Sequence, residues 1–373
     1  MIKRYISIQD NLKKGKVLII YGARQVGKTT LVKEFLSNTD LKYRYDTGDN
    51  FQIASQLSEC TYQSTQNHIQ NYDLIVIDEA QKIPNIGNAL KLMVDMNPEI
   101  YIIVTGSSSF ELANKTDESL TGRKRILHLY PISQLELAQI YAPSELQNAI
   151  SDFLIYGSYP EIINEKIIFD KIDQIKAITY SYLIKDILEF DRIKNSDKIY
   201  KLLQLLAFQI GSEVSANELS KNLSLDIKTI QYYLDLLEKS YVIFSLNSYS
   251  TNPRKEISKS SKYYFYDLGI RNSLINNFNL LDQRNDIGAL WENFLIIERI
   301  KRDSYLKNYK NYYFWRTYTQ KEVDFVEEFG GKIDGYEFKW NTANSKSPSI
   351  WSESYPDAFY SEINQQNYLN FIL

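Results

Sequence analysis

The chain has 373 residues with a formal net charge of -3, 44% of them hydrophobic and 24% charged, with one cysteine and two histidines. Cys60, His68 and His128 are too few for a disulfide or a Cys/His zinc site within one chain, and they disfavour Ser–His or Cys–His nucleophilic catalysis. No run approaches the ~18 apolar residues of a membrane span, and the first ten residues lack the apolar core of a signal peptide, so the expectation is a cytoplasmic globular chain of two or three domains with no membrane partner.

The first element in chain order is Val17-Leu18-Ile19-Ile20-Tyr21, an apolar and β-branched run that reads as a buried strand. Gly22-Ala23-Arg24-Gln25-Val26-Gly27-Lys28-Thr29 follows, and Thr30 to Leu36 reads as a helix. GxxxxGK[ST] between a strand and a helix is a phosphate-binding P-loop. Gly22 and Gly27 let the backbone turn its N–H groups toward phosphate oxygens, and the helix N-terminus adds partial positive charge. Lys28 is expected to reach the β/γ-phosphates, and the Thr29 hydroxyl to ligate Mg²⁺. Residues Gly22 to Thr30 are thus the expected nucleotide-binding set, with ATP and Mg²⁺ as cofactors.

A second strand is expected over Leu41 to Asp46, and a third over Leu74-Ile75-Val76-Ile77-Asp78 with Glu79 after it. Carboxylates at the C-terminal end of a buried parallel strand stand where open α/β sheets gather their ligands. Asp78 is the candidate Mg²⁺ ligand, and Glu79 the candidate residue that orients the attacking water. Tyr101 to Thr105 reads as a fourth strand, leading into Gly106-Ser107-Ser108-Ser109. A polar residue at this tip can sense the γ-phosphate; Ser107 or Ser108 is the candidate. Arg125 to Tyr130 reads as a fifth strand. Alternating strands and helices over residues 1–135 imply an α/β core with a mostly parallel sheet covered on both faces.

Residues 136–195 read as helical, a candidate lid interrupted by Tyr156-Gly157-Ser158-Tyr159-Pro160. Residues 196–265 carry a helix-turn-helix pattern. Ser215 with Glu218 three residues on reads as a capping box, Ser224-Leu225-Asp226 as the turn, and Thr229 to Leu237 as the second helix. Val242 to Leu246 and Tyr263 to Tyr266 read as wing strands, completing a winged helix. Asp226, Lys228, Gln231, Asp235 and Glu238 on the second helix match a phosphate backbone poorly, so a structural winged helix outweighs major-groove recognition. The loop Asn252 to Lys262 is basic, which suits either nucleic acid or plain solvent.

Residues 266–373 hold a quieter constellation. Gly288 to Leu295 reads as a helix bearing Glu292; Tyr312 to Arg316 and Glu322 to Val326 read as a hairpin with Asp324; Gly335 to Trp340 reads as a strand with Glu337 and Lys339 on one face. Asp324 and Glu337 can meet across neighbouring strands, with Glu292 approaching from the helix. Three carboxylates suit Mg²⁺ or Mn²⁺, and the lysine suits a water or a developing charge. This arrangement resembles the PD-(D/E)xK nuclease core. An active nuclease and an inactivated domain kept for binding are both open at this point.

Taken together, the P-loop, Ile77-Asp78-Glu79-Ala80-Gln81, Thr105-Gly106-Ser107-Ser108, Leu120-Thr121-Gly122-Arg123 and Leu129-Tyr130-Pro131 resemble the prokaryotic AAA+ ATPases that end in a nuclease-like domain of unknown function. Tyr156 to Glu161 and Tyr266-Asp267-Leu268-Gly269 fit the same family. The resemblance implies ATP binding and hydrolysis by an AAA+ core, a helical lid, a winged helix and a C-terminal α/β nuclease-like domain. Arg123, just before the fifth strand, matches the position of an arginine finger that completes a neighbour's site, which would make the chain a homo-oligomer; a local salt bridge is the competing role. Residues 132–190 contain no arginine, so the usual lid arginine is missing and a slow, switch-like ATPase is implied. DNA or RNA, or a protein partner of a non-catalytic C-terminal domain, complete the implied partners.

Overall fold

The computed structural model describes residues 2–106, 120–180, 196–250, 261–317, 319–342 and 347–373. The chain divides into two compact units. One comprises Arg4–Tyr130 with Lys239–Tyr241; the other comprises Met1–Lys3, Pro131–Glu238 and Val242–Leu373.

In the first unit the strands β1 (Val17–Tyr21), β2 (Tyr43–Thr47), β3 (Leu74–Asp78), β4 (Tyr101–Gly106) and β5 (Lys124–His128) form one sheet in the order β2-β3-β4-β1-β5. All of its pairings are parallel. Every residue of β1 and β3 is buried, which is why both strands are continuous apolar runs rather than alternating ones. Each large aliphatic side chain so buried contributes roughly 1.5–3 kcal/mol. The outer strands β2 and β5 are half-buried and correspondingly mixed. Helix Ile86–Met96 turns Ile86, Ala89, Leu90, Met93 and Val94 inward, the stripe of an amphipathic helix. Side-chain caps start the neighbouring helices: Asn50 accepts from the Gln52 and Ile53 N–H groups, and Thr61 from the Ser64 N–H.

Two strands shift from their expected positions. β2 begins at Tyr43 because Lys42 is engaged by Asp73, whose N–H donates to the Lys42 carbonyl at 2.7 Å. β5 ends at His128 because the chain then bends across β1: the Leu129 N–H donates to the Tyr21 carbonyl at 2.7 Å. Lys239–Tyr241 packs with this unit, Tyr241 Oη lying 2.7 Å from His128 Nδ1.

The second unit contains a mixed sheet. Its strands are β6 (Glu213–Val214), β7 (Ile243–Ser248), β8 (Ser261–Phe265), β9 (Asn311–Arg316), β10 (Glu322–Phe329), β11 (Lys332–Phe338) and β12 (Phe359–Ile363). Their order is β12-β11-β10-β9-β7-β8-β6. The β7–β8 hairpin and the C-terminal strands are therefore one sheet, joined by parallel pairing of Asn247 with Tyr313 and Ser248 with Phe314. β12, parallel to β11, has no expected counterpart. Helix Ile287–Leu306 is far longer than its expected Gly288–Leu295 core.

Helices Ala216–Leu223 and Ile227–Lys239 precede the hairpin. Ser215 Oγ accepts the Glu218 N–H, while the Glu218 carboxylate receives Gln209 Nε2 at 3.0 Å. Asp226 is exposed, as expected, but stands just before the second helix as its cap, its Oδ1 accepting the Thr229 N–H at 2.9 Å. Most of the basic loop, residues 251–260, lies outside the described residues. Lys262, its last member, is buried on β8.

The Tyr156–Glu161 and Tyr266–Gly269 segments meet at a buried carboxylate. Asp267 Oδ2 accepts the Ser158 N–H at 2.6 Å, and its Oδ1 caps helix Leu268–Leu274 through the Ile270 N–H at 3.1 Å. Burial pushes the Asp267 carboxyl up, against the opposing Ser158 N–H and the Lys301 charge. Gly157 has φ 78°, and a Cβ there would stand 2.1 Å from Asp267 Oδ1. Gly157→Ala should therefore strain the backbone and displace the carboxylate, costing roughly 2–3 kcal/mol. Thermal unfolding followed by circular dichroism should show the apparent Tm of this unit falling by about 5 °C or more; an unchanged Tm would mean that the turn has room for a side chain.

Candidate functional site

The P-loop leaves the C-terminal end of β1, in the interior of the first sheet. A Cβ on Gly22 would lie 2.0 Å from the Leu129 carbonyl oxygen, so glycine is required there by the close passage of the chain beyond β5. Gln25 and Gly27 hold positive φ, 61° and 97°. These turn the loop into the helix Lys28–Ser37, whose N-cap is Gly27; Thr29 and Thr30 lie in its first turn. Arg4 braces this arrangement. Its Nη1 donates to the Val26 carbonyl at 2.6 Å and its Nη2 to the Tyr130 carbonyl at 2.7 Å.

Lys28 is buried, and its Nζ donates to the carbonyls of Gly22 at 2.8 Å and Ala23 at 2.9 Å. The ammonium is thus already folded over the loop. Thr29 Oγ1 donates to Asp78 Oδ2 at 2.8 Å. The motif after β1 and the acid ending β3 are therefore brought together, as the sequence pattern requires. A hydroxyl and a carboxylate in contact beside a P-loop are donors that suit Mg²⁺.

Asp78 receives two further hydroxyls that the sequence reading did not single out. Tyr45 Oη, from β2, donates to Oδ2 at 2.8 Å; Thr105 Oγ1, from β4, donates to Oδ1. Burial, followed by the bond to Asp78, pushes the Tyr45 hydroxyl above its ordinary range. Thr105 Oγ1 also accepts the Glu79 N–H at 3.1 Å. Thr105 lies one residue before the end of β4, and the candidate sensors Ser107 and Ser108 lie outside the described residues. The signal for Thr105 was its place as the last residue of an apolar strand run; that for Tyr45 was its alternation with Arg44 on a half-buried strand. Arg4 carried no signal.

Glu79 adopts φ 51°, which turns the chain sharply after β3. Gln81, on the short 3-10 turn Ala80–Lys82, is buried and donates through Nε2 to Glu79 Oε2 at 2.5 Å. Arg123 stands elsewhere. Its carbonyl accepts the Val17 N–H at 2.8 Å, placing it at the start of β1, about 15 Å along the strand from the P-loop. Its Nη2 pairs with Asp95 Oδ1 at 2.9 Å. The fold thus does not bring Arg123 to Lys28 of the same chain.

In the second unit, Glu292, Asp324, Glu337 and Lys339 do share one neighbourhood. The register of β10 and β9 shifts between Val323 and Val326, a bulge that re-aims the intervening Asp324. Asp324 Oδ2 accepts the Phe338 N–H at 2.8 Å, and Lys339 Nζ donates to Glu337 Oε1 at 2.7 Å. Burial, then the charges of Glu292 and Glu337, hold the Asp324 carboxyl well above the usual carboxylate range. Among the described residues, however, no three Asp, Glu, His or Cys side chains are arranged to hold a metal ion.

A family model described as an AAA domain matches residues 14–138. Two described as domains of unknown function, DUF8612 and DUF4143, match residues 147–281 and 287–366. The chain is similar to the uncharacterized protein Rv2008c of Mycobacterium tuberculosis, 26% identical over 345 residues, spanning 91% of this chain and 74% of that protein. It is likewise similar to the uncharacterized protein MJ1544 of Methanocaldococcus jannaschii, 26% identical over 86% of this chain and 74% of that one. Among solved structures it is similar to the Walker-type ATPase PABY2304 of Pyrococcus abyssi, with a TM-score of 0.45 and 14% identity over 69% of this chain and 91% of that one. The residues matched by the AAA-domain model include the P-loop, Asp78 and all five strands of the first sheet.

Thr105→Val would remove both the donor to Asp78 and the acceptor for the Glu79 N–H while keeping the side-chain shape. A hydrogen bond to a charged group is worth roughly 1.5–3 kcal/mol, so ATP turnover should fall about 10- to 100-fold. ATP affinity should change little, and Thr105→Ser should retain most activity. Steady-state kinetics with all three proteins checks this; equal turnover in wild type and Thr105→Val would remove Thr105 from the site.

Proposed function

We propose that this chain is a Mg²⁺-dependent ATPase whose nucleotide state controls the helix-turn-helix and C-terminal modules of the second unit. The observation that carries the reading is the contact of Thr29 with Asp78 behind a P-loop whose lysine is already directed into the loop. Phosphate oxygens can take the place of the Gly22 and Ala23 carbonyls as acceptors for Lys28. Thr29 and Asp78 would hold Mg²⁺, which when bound would neutralise negative charge on the phosphates. Thr105 and Tyr45 fix the Asp78 carboxylate in one orientation. Glu79 orients and polarises the attacking water once its carboxylate leaves Gln81. Arg123, remote from its own P-loop, serves a neighbouring copy in a homo-oligomer.

The helix-turn-helix with its hairpin has the element order of a winged helix. Its second helix presents Lys228 and Gln231 beside Asp235 and Glu238, a mixed face better suited to a protein partner than to a phosphate backbone. A regulatory output, in which the second unit engages a partner according to the nucleotide bound, fits this face. The competing reading is ATP-coupled action on DNA or RNA, and stimulation of turnover by either polymer would favour it.

Lys28→Ala should abolish ATP binding measured by calorimetry, whereas Glu79→Gln should bind ATP with near wild-type affinity and lose turnover by a factor of at least about 100. Equal ATP affinity in wild type and Lys28→Ala would sink the P-loop assignment. Arg123→Ala should lower turnover, and wild-type specific activity should rise with protein concentration. Concentration-independent activity from a monomer would remove Arg123 from catalysis.

A further inference from the structure

We propose that the Lys262 ammonium is the resident cation of the C-terminal acidic cluster, taking the place of the divalent metal that its carboxylates suggest, so that this module does not cut nucleic acid by metal-dependent hydrolysis. The proposal goes beyond the ATPase reading and holds whether or not the first unit hydrolyses ATP.

Lys262 lies on β8 with neighbours on both sides, Glu213 of β6 and Leu246 of β7. Its backbone is thereby held in the sheet, and its side chain is only 4% exposed. The ammonium packs over the Phe314 ring, 5.3 Å from its centroid. It pairs with Glu292 Oε1 at 3.2 Å and with Glu322 Oε1. A buried ammonium is tolerated only with such partners. Burial alone would lower the Lys262 pKa, yet the charges of Glu292, Glu322 and Asp324 hold it above its ordinary value.

The carboxylates are committed as well. Glu292 Oε1 accepts from Tyr264 Oη at 2.6 Å in addition to Lys262. Tyr264 reaches it because residues two apart on a strand share a face. Glu322 also lies 3.6 Å from Arg316 Nε. Asp324 Oδ2 is taken by the Phe338 N–H, and Glu337 Oε1 by Lys339. Each acid that would ligate a metal therefore holds a donor from the protein itself. A divalent ion entering here would compete with those donors for the carboxylates and stand beside a buried ammonium, which repels it.

The test titrates the full-length wild type, without nucleotide, with Mn²⁺ by calorimetry, beside Asp324→Asn and Lys262→Met. Wild type and Asp324→Asn should give the same isotherm, since any Mn²⁺ taken up at Thr29 and Asp78 is common to both. Lys262→Met should gain Mn²⁺ binding at least roughly tenfold tighter than wild type, and Asp324→Asn placed on top of it should remove the gain. Wild-type Mn²⁺ binding or plasmid cleavage that Asp324→Asn abolishes would overturn the proposal. A folded Lys262→Met protein with no new Mn²⁺ site would also overturn it. Should Lys262→Met fail to fold, the comparison of wild type with Asp324→Asn decides alone.

Discussion

The Asp78 carboxylate receives hydroxyls from Thr29, Tyr45 and Thr105, one each from the P-loop helix, β2 and β4. Much else in the first unit serves that convergence. The sheet order puts β3 between β2 and β4, so a strand on each side can reach the acid at its tip. The buried interior of β1 and β3 holds the P-loop and Asp78 at neighbouring strand ends. Gly22 permits the close backbone passage of Leu129, and Arg4 ties the Val26 and Tyr130 carbonyls together. A site assembled from separate elements in this way is positioned by the whole sheet rather than by a single loop.

The second unit makes an instructive contrast, because it gathers carboxylates with different donors. The donors described at Asp78 are neutral hydroxyls, which orient the acid without cancelling its charge. In the C-terminal cluster the partners include the cations Lys262, Lys339 and Arg316. Hydroxyl donors leave a carboxylate able to attract Mg²⁺; an adjacent buried ammonium already satisfies it. Carboxylates in the two units therefore differ in what they can bind. The identity of the neighbours decides, and those neighbours come from distant parts of the chain.

That distance also explains what was legible in the sequence. β1 and β3 could be read to the residue because strands buried on both faces need unbroken apolar runs. β2 was displaced by two residues at its start because Lys42 is held in a turn by Asp73, a contact between segments thirty-one positions apart. β12, short and half-buried, gave too little periodicity to be seen. The P-loop and Asp78 were legible because their spacing is local to a strand–loop–helix unit. Thr105, two residues before Ser107, was not singled out because nothing local to the chain shows that its hydroxyl faces Asp78. Lys262 reads as the end of a basic loop facing nucleic acid or solvent because Lys259-Ser260-Ser261-Lys262 looks polar. Its burial rests on Glu292, thirty residues on, and on a β-pairing that local composition does not encode.

The dependence of nucleotide affinity on Mg²⁺ tests the role of Asp78 most directly. Calorimetric titration of ATP with and without Mg²⁺, in wild type and in Asp78→Asn, isolates the contribution of the acid that organises the site. Wild type should bind ATP at least roughly tenfold more tightly with Mg²⁺ than without it, and Asp78→Asn should lose most of that gain while still binding the nucleotide. Affinity that ignores Mg²⁺, or a Mg²⁺ effect unchanged in Asp78→Asn, would contradict the assignment of this carboxylate as the centre of the site.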